Sequence, residues 1–279
     1  GAAYDGDPWD LVCGRAKSPR VLPLVDILTL SATGSEFDGG GVITNLATNE
    51  KMGGGFTYPS VSICDPTYTF SVSRYQTAAG SADIMSHTFE DYFSRTEDSD
   101  LADGIGETLL KSVMKNAKIA IEKPDDYSAR ANLMADASVA CSGIPSYGKQ
   151  YTGWPCHAME HELSAYYDIT HGVGLAILTP RWTRHILAKD PSCTWRFVRL
   201  AKNVFGLDGE DDAALARAGI DALEAYFRST GIPMTLTELG IGEEHFEVMA
   251  AHANAGGYLA EAFVPLTNED ILEIYRACL

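Results

Sequence analysis

Two separate stretches of the chain carry histidines and a carboxylate at a four-residue spacing. Asp83 and His87 stand four residues apart, as do His157 and His161, and His171 follows further along. Side chains four residues apart project from the same face of a helix. Three imidazoles and one carboxylate form a donor set that suits Zn²⁺ or Fe²⁺, and donor type does not discriminate between these metals. The sequence therefore predicts a divalent metal site.

Two other interpretations fit these residues. An Asp and a His at this spacing also occur as an ion pair on a helix surface, and the later histidines could be unrelated members of a core. The metalloprotease pattern H-E-x-x-H does not apply, because Ala158 follows His157 and Glu160 precedes His161. The remaining histidines stand alone and are expected to be solvated or hydrogen-bonded: His185, His245 and His252.

Helices must position most of these residues. Up to about residue 70 the chain is rich in Gly, Pro and Thr, which predicts a buried strand within 21–30 and a hairpin-like stretch through 45–51 that returns at 60–64. Apolar residues then recur at helical spacing. The predicted helices span 73–93, 100–121, 127–142, 154–167, 172–188, 194–205, 211–230, 243–253 and 267–278.

Composition narrows the classes of partner. The chain has 279 residues, of which 46% are hydrophobic, so it can bury one large core or two modest ones. Its formal net charge of -17 disfavours nucleic acids and anionic membrane surfaces. No run is long and apolar enough for a spanning helix, and the six cysteines form no C-x-x-C pair. We expect a cytoplasmic protein with reduced thiols.

Several spaced motifs resemble one family, the iron-containing (group III) alcohol dehydrogenases, most closely the butanol dehydrogenase and NADPH-dependent aldehyde reductase branch. The resemblance runs in order from about Asp5 to Leu279. The matching segments are Leu30–Glu36, Gly39–Asn45, Asp65–Tyr68, the Asp83 and His87 pair, Gly153–Gly172 and Pro265–Leu272.

The resemblance implies a role for each matching residue. Asp83, His87, His157 and His171 would be the metal ligands, and His161 would be the catalytic proton shuttle. The implied cofactors are a divalent metal (Fe²⁺ or Zn²⁺) and NADP or NAD. The implied reaction transfers hydride between NAD(P)H and a short-chain aldehyde or alcohol, with the metal as Lewis acid. The residues that would bind the dinucleotide are Thr29, Thr33, Ser35, Lys51 and Tyr68.

The resemblance also implies a fold of the dehydroquinate synthase-like, iron alcohol dehydrogenase type. The chain would be mainly α, with a helical metal-binding catalytic domain over residues 71–279 and a remnant of an α/β cofactor-binding domain over 1–70. Homodimers are usual in the family, so we expect a homo-oligomer that acts on a small-molecule substrate, with no nucleic acid and no membrane.

Three departures from the family pattern keep alternatives open. This chain has Ser31 where relatives have Pro, and Asp38 where relatives tend to have Asn. It also has no G-x-G-x-x-G or Gly-Gly-Gly-Ser loop after a strand that could bind a pyrophosphate. We therefore expect most of the nucleotide-binding half to be missing from this sequence. One alternative is a truncated metal-binding helical module without redox activity. Another is a metallohydrolase in which Glu160 or Glu162 acts as general base.

Overall fold

The computed structural model describes residues 1–279 and is mainly helical, as predicted. All nine predicted helices are present, with ends within three residues of those expected, and one short helix near the N-terminus is additional. None of the helices has the length and apolarity needed to cross a bilayer. In chain order the elements are α1 (Pro8–Val12), β1 (Val25–Ile27), β2 (Gly40–Asn45), β3 (Glu50–Gly55), β4 (Val61–Ile63), α2 (Arg74–Tyr92), α3 (Asp100–Glu122), α4 (Tyr127–Ala140), α5 (Pro155–Tyr167), α6 (His171–Lys189), α7 (Thr194–Asn203), α8 (Asp212–Ser229), α9 (Phe246–Ala253) and α10 (Asn268–Ala277).

The four strands form two separate pairs. A hairpin is present around 45–51, but its strands are β2 and β3. The predicted return at 60–64 is wrong, because β4 pairs in parallel with β1. The expectation of a buried strand within 21–30 is wrong, because Val25 and Ile27 are 58% and 53% exposed. The short turn Ser35–Phe37 packs against this parallel pair, and no helix makes extensive contact with its faces.

Helix α2 lies at the centre of the helical part of the chain. Every residue from Thr77 to Tyr92 is buried, and α3, α4, α5 and α6 pack around the helix. Many of these residues are small or polar, so α2 has no strongly apolar stripe. Its buried hydroxyls bond to its own backbone: Ser81 donates to the carbonyl of Thr77 and Thr88 to that of Ile84. A central helix with short side chains lets its neighbours approach closely on all sides.

The closest approach is between α2 and the first turn of α6. A Cβ atom at Gly172 would overlap the backbone carbonyl of Ala79, so only glycine fits there at this separation. This contact determines how near His171, the first residue of α6, comes to α2.

A buried ion-pair network holds the segment that leads into α5. Asp103 on α3 accepts bonds from Arg196 on α7, at 2.6 Å, and from Lys149, at 2.8 Å, and these three side chains are at most 1% exposed. Arg196 also donates to the carbonyl of Thr96, and Lys149 to that of Asp91 at the end of α2. The network thereby ties three helices to the loop that precedes the second histidine cluster.

The first prediction concerns this network. Replacing Asp103 with Ala leaves two buried cations without their carboxylate, which should lower the free energy of unfolding by about 3–5 kcal/mol. The control is Asp221→Ala, which breaks an exposed pair with Arg184 and should cost at most about 1 kcal/mol. Urea unfolding of both variants measures the difference, and equal losses would contradict the assignment.

The second prediction concerns the contact between α2 and α6. Gly172→Ala must push the two helices apart, which should cost about 1–3 kcal/mol of unfolding free energy. The matched control is Gly104→Ala within α3, where a Cβ meets nothing within 4 Å. That change should stabilise the protein by about 0.5–1 kcal/mol, because alanine restricts the unfolded chain. Thermal unfolding should shift in opposite directions, and a neutral Gly172 variant would show that the contact can relax freely.

Candidate metal centre

Four side chains from three helices meet around one carboxylate oxygen. The Oδ1 atom of Asp83 lies 3.5 Å from Nε2 of His87, 3.8 Å from Nε2 of His157 and 3.5 Å from Nε2 of His171. Asp83 and His87 share one face of α2, as their spacing predicts. His157 comes from α5 and His171 from the start of α6. The fold thus gathers the four side chains that the family resemblance names as ligands.

The distances within the cluster, and its buried polar atoms without hydrogen-bond partners, are those expected of a cation site. Four tetrahedral ligands at about 2.1 Å from a metal lie about 3.4 Å from one another, and the three distances from Asp83 Oδ1 are close to this value. Those separations are too long for hydrogen bonds. The ligand atoms of Asp83, His87 and His157 all lie within 4.8 Å of one another, and a second group within the same limit contains Glu160, His161 and His171. Neither Asp83 Oδ1 nor His157 Nε2 has a hydrogen-bond partner, although both atoms are buried. Buried polar atoms without partners are costly, so a divalent ion bound by these atoms fits the site.

The pKa values of the clustered side chains are shifted by burial and by their charged neighbours. Burial alone would raise the pKa of Asp83, but the surrounding imidazoles hold that pKa well below its usual range. Burial would lower the pKa of His157, but the nearby carboxylates of Asp83 and Glu90 outweigh that effect and raise the pKa to about 9. For His87, burial is the largest effect and lowers the pKa to about 4. The carboxylates of Asp83 and Glu90 therefore stabilise positive charge at His157.

Two buried glutamates contact His157 and His171 at Nδ1, the ring nitrogen that is not the one near Asp83. Glu90 Oε1 lies 3.1 Å from Nδ1 of His157, and Glu160 Oε2 contacts Nδ1 of His171. Neither the residue spacing nor the family resemblance predicts a role for Glu90, and Glu160 is predicted only as a possible general base. A signal was available, because each glutamate stands three residues after a histidine, in His87-x-x-Glu90 and His157-x-x-Glu160.

Trp154 covers the side of the cluster formed by two of the histidines. Its ring centroid lies 5.6 Å from that of His87 and 4.9 Å from that of His157, and the two imidazoles stack at 4.8 Å. Trp154 has φ 48°, a left-handed conformation that is uncommon for a bulky residue, and Pro155 begins α5 directly after it. No sequence motif predicts a role for Trp154. Access to the cluster is greater at His171, which is 27% exposed, than at His87 or His157.

One of the five predicted dinucleotide-binding residues lies at the cluster. Lys51, on β3, places Nζ 3.5 Å from Oε2 of Glu160. Ser35 donates to Asp26, and the side chains of the other three residues are exposed and make no hydrogen bond. These are Thr29, Thr33 and Tyr68. Their role stays a prediction.

The other histidines separate into one near the cluster and three away from it. The ring of His161 lies 5.6 Å from that of His171 and 6.2 Å from that of His157, and burial lowers the pKa of His161 well below its usual value. His161 therefore lies beside the four ligand atoms as a neutral imidazole. Away from the cluster, His185 bonds to Asp270, His252 contacts Glu162, and His245 packs against tyrosines.

Comparison with known proteins supports one family over nearly the whole chain. Residues 77–279 match "Fe-containing alcohol dehydrogenase family, C-terminal", and residues 1–66 match "Iron-containing alcohol dehydrogenase". The chain is 53% identical to NADH-dependent butanol dehydrogenase A of Clostridium acetobutylicum, over 99% of this chain and 71% of that protein. It is 30% identical to the NADPH-dependent aldehyde reductase YqhD of Escherichia coli, over 84% of this chain and 60% of that protein.

Solved structures agree with these similarities. The crystal structure of NADH-dependent butanol dehydrogenase A from Thermotoga maritima superposes with a TM-score of 0.91 at 38% identity, covering 99% of this chain and 71% of that one. The structure of Escherichia coli YqhD gives a TM-score of 0.90 at 26% identity, covering 99% and 70%. The predicted family and its enzyme class, the NAD(P)-dependent alcohol dehydrogenases and aldehyde reductases, are thereby confirmed. The chain belongs to the iron-containing alcohol dehydrogenase family.

Proposed function

We propose that this chain is a metal-dependent oxidoreductase that transfers hydride between NAD(P)H and a short-chain aldehyde or alcohol. The single observation that supports it most is the convergence of Asp83, His87, His157 and His171, in which Nε2 of each histidine lies within 3.8 Å of Asp83 Oδ1. Similar proteins are named as NADH-dependent butanol dehydrogenases and as an NADPH-dependent aldehyde reductase, so either dinucleotide is a candidate.

Each part of the site has a task in this reaction. When bound, the ion supplies Lewis-acid polarisation of the carbonyl oxygen, and the nicotinamide supplies hydride. Asp83, His87, His157 and His171 would hold the ion inside the helical core. His161, neutral and beside the more exposed ligand His171, is placed to hand a proton from an imidazole nitrogen to the product oxygen. Trp154 packs against His87 and His157 and would limit the access of water at these two residues.

The strand-rich part of the chain would hold the dinucleotide. Lys51 brings a positive charge from the β2–β3 hairpin to the edge of the metal cluster, where it can meet an anionic cofactor. The proposed division assigns residues 1–70 to part of an α/β cofactor-binding domain and residues 71–279 to the helical metal-binding domain. The homodimer and the cytoplasmic location expected from the family stay predictions.

The contacts of the glutamates weigh against the metallohydrolase alternative. Glu160 is fully buried and already bonds to His171, Lys51 and Ser164. Glu162 contacts His252 on the α9 side of α5. Neither is free to activate water at the cluster, as a general base must be. The other alternative, a metal-binding module without redox activity, requires a protein that binds metal but shows no saturable binding of NADH or NADPH at micromolar concentrations.

The third prediction tests metal dependence. Treatment with a chelator should abolish oxidation of NADH or NADPH by butanal, and Zn²⁺ or Fe²⁺ should restore it. His157→Ala removes a ligand from the middle of the cluster, so metal affinity should fall by more than about 100-fold, the upper range for outer-shell changes. The control is His185→Ala, because that imidazole bonds to Asp270 instead. Wild-type metal affinity in His157→Ala would refute the ligand assignment.

The fourth prediction separates the proton-transfer role of His161 from metal binding. His161→Asn should lower kcat for butanal reduction by about 10²–10⁴-fold, the usual contribution of a general acid. Metal content should stay within about twofold of wild type, because the other four side chains supply the ligand atoms. Loss of the metal together with activity would instead make His161 a ligand, and an unchanged kcat would remove it from the mechanism.

A further inference from the structure

Two helices of the metal cluster share a pattern in which one side chain can bind metal and another can support the next ligand. On α2, His87 is followed three residues later by Glu90, which contacts His157 of α5. On α5, His157 is followed three residues later by Glu160, which contacts His171 of α6. Each glutamate therefore contacts a candidate ligand histidine on another helix of the cluster and not the histidine of its own helix.

The contact at Glu90 determines which nitrogen of His157 can bind a metal. Glu90 Oε1 accepts the backbone N–H of His157 at 2.9 Å and lies 3.1 Å from its Nδ1. A carboxylate accepts hydrogen bonds, so Nδ1 carries the proton in this contact. The lone pair of the neutral ring is then on Nε2, the atom that faces Asp83 and has no other partner.

The contact at Glu160 does the same for His171 and adds a second link. One carboxylate oxygen meets Nδ1 of His171 and Nζ of Lys51, and the other accepts the hydroxyl of Ser164 at 2.5 Å. Helix α6 approaches Glu160 so closely that a Cβ at Gly174 would lie 2.8 Å from its Cγ. The carboxylate is thus fixed from four sides while its own side chain is inaccessible to solvent.

His87 has no such support. Its Nδ1 is buried without a hydrogen-bond partner, and its ring packs against those of Trp154 and His157, which also contact each other. Packing therefore orients one ligand histidine, whereas carboxylates orient the other two. The charges also balance as a set, because Asp83, Glu90 and Glu160 together match one divalent ion and the ammonium of Lys51.

We propose that Glu90 and Glu160 are positioning residues that hold His157 and His171 with Nε2 directed at the metal and raise the affinity of the site through their charge. This inference rests on the proposed metal-dependent function. Outer carboxylates that orient ligand histidines typically change metal affinity by about 10–100-fold.

The experiment measures metal affinity directly. Zn²⁺ dissociation constants are obtained by competition with a chromogenic chelator for wild type, Glu90→Gln and Glu160→Gln, and the absorption spectra of the Co²⁺-substituted proteins are compared. Each variant should bind Zn²⁺ about 10–100-fold more weakly and change the Co²⁺ ligand-field bands, because ring orientation and ligand basicity change. Activity is not needed for either readout.

The matched control is Glu107→Gln. Glu107 is also buried and accepts bonds from Tyr92, Arg199 and Asn203, but it lies on α3 away from the ligand side chains. This variant should lose stability and keep wild-type Zn²⁺ affinity and Co²⁺ bands. Equal weakening in Glu107→Gln would attribute the effect to general destabilisation and overturn the proposal.

The remaining outcomes separate the inference from the function on which it rests. If wild type does not bind Zn²⁺ or Co²⁺, the proposed function fails. If wild type binds and both Gln variants match it in affinity and spectrum, only the positioning role fails. Should a Gln variant not fold, Glu90→Asp and Glu160→Asp provide the test. These variants keep the charge but withdraw it by one methylene, so weaker Zn²⁺ binding supports positioning and wild-type affinity overturns it.

Discussion

The architecture depends on a carboxylate, Asp83, placed inside a helix that is buried on all sides. A carboxylate removed from water is strongly destabilising unless positive charge or hydrogen-bond donors surround it. Here the surroundings are three imidazoles from three helices, each with Nε2 within 3.8 Å of one oxygen. The packing of α2, α5 and α6 therefore has to form a dense core and also bring three imidazole nitrogens close to the Asp83 carboxylate.

The small residues of α2 reconcile these purposes. Because most positions from Thr77 to Ser81 carry short side chains, neighbouring helices can approach the backbone itself, as Gly172 does at the carbonyl of Ala79. Close helices bring short side chains such as Asp83 within reach of histidines on their neighbours. The buried network around Asp103 includes Lys149, which lies in the loop before α5. The network therefore restrains that loop and helps to position Trp154 and His157, which follow it.

Charge links the helical core to the strand-rich part of the chain. Lys51 reaches from the β2–β3 hairpin to the fully buried Glu160, which in turn contacts His171. A residue predicted to approach the cofactor is therefore electrostatically connected to the residues predicted to hold the metal. This connection gives a physical reason why one chain would combine these two parts. An anionic cofactor bound near Lys51 would change the electrostatic potential at the predicted metal site.

The sequence by itself determined the helices, the candidate ligands and the family. Helical periodicity is local, and nine helices end within three residues of their predicted limits. Asp83 with His87 and His157 with His161 could be paired because a helix places residues four apart on one face. The roles of His171 and His161 came from the family resemblance and not from spacing, and the tertiary structure shows that His171 approaches Asp83 as the resemblance implies. Only the tertiary structure showed that Glu90 and Glu160 contact histidines on other helices. It also showed that the apolar segment around Val25 is exposed, contrary to its predicted burial. Whether two helices touch, or a strand is covered, depends on which surfaces pack together in the folded chain. Residue spacing within one element does not determine those contacts.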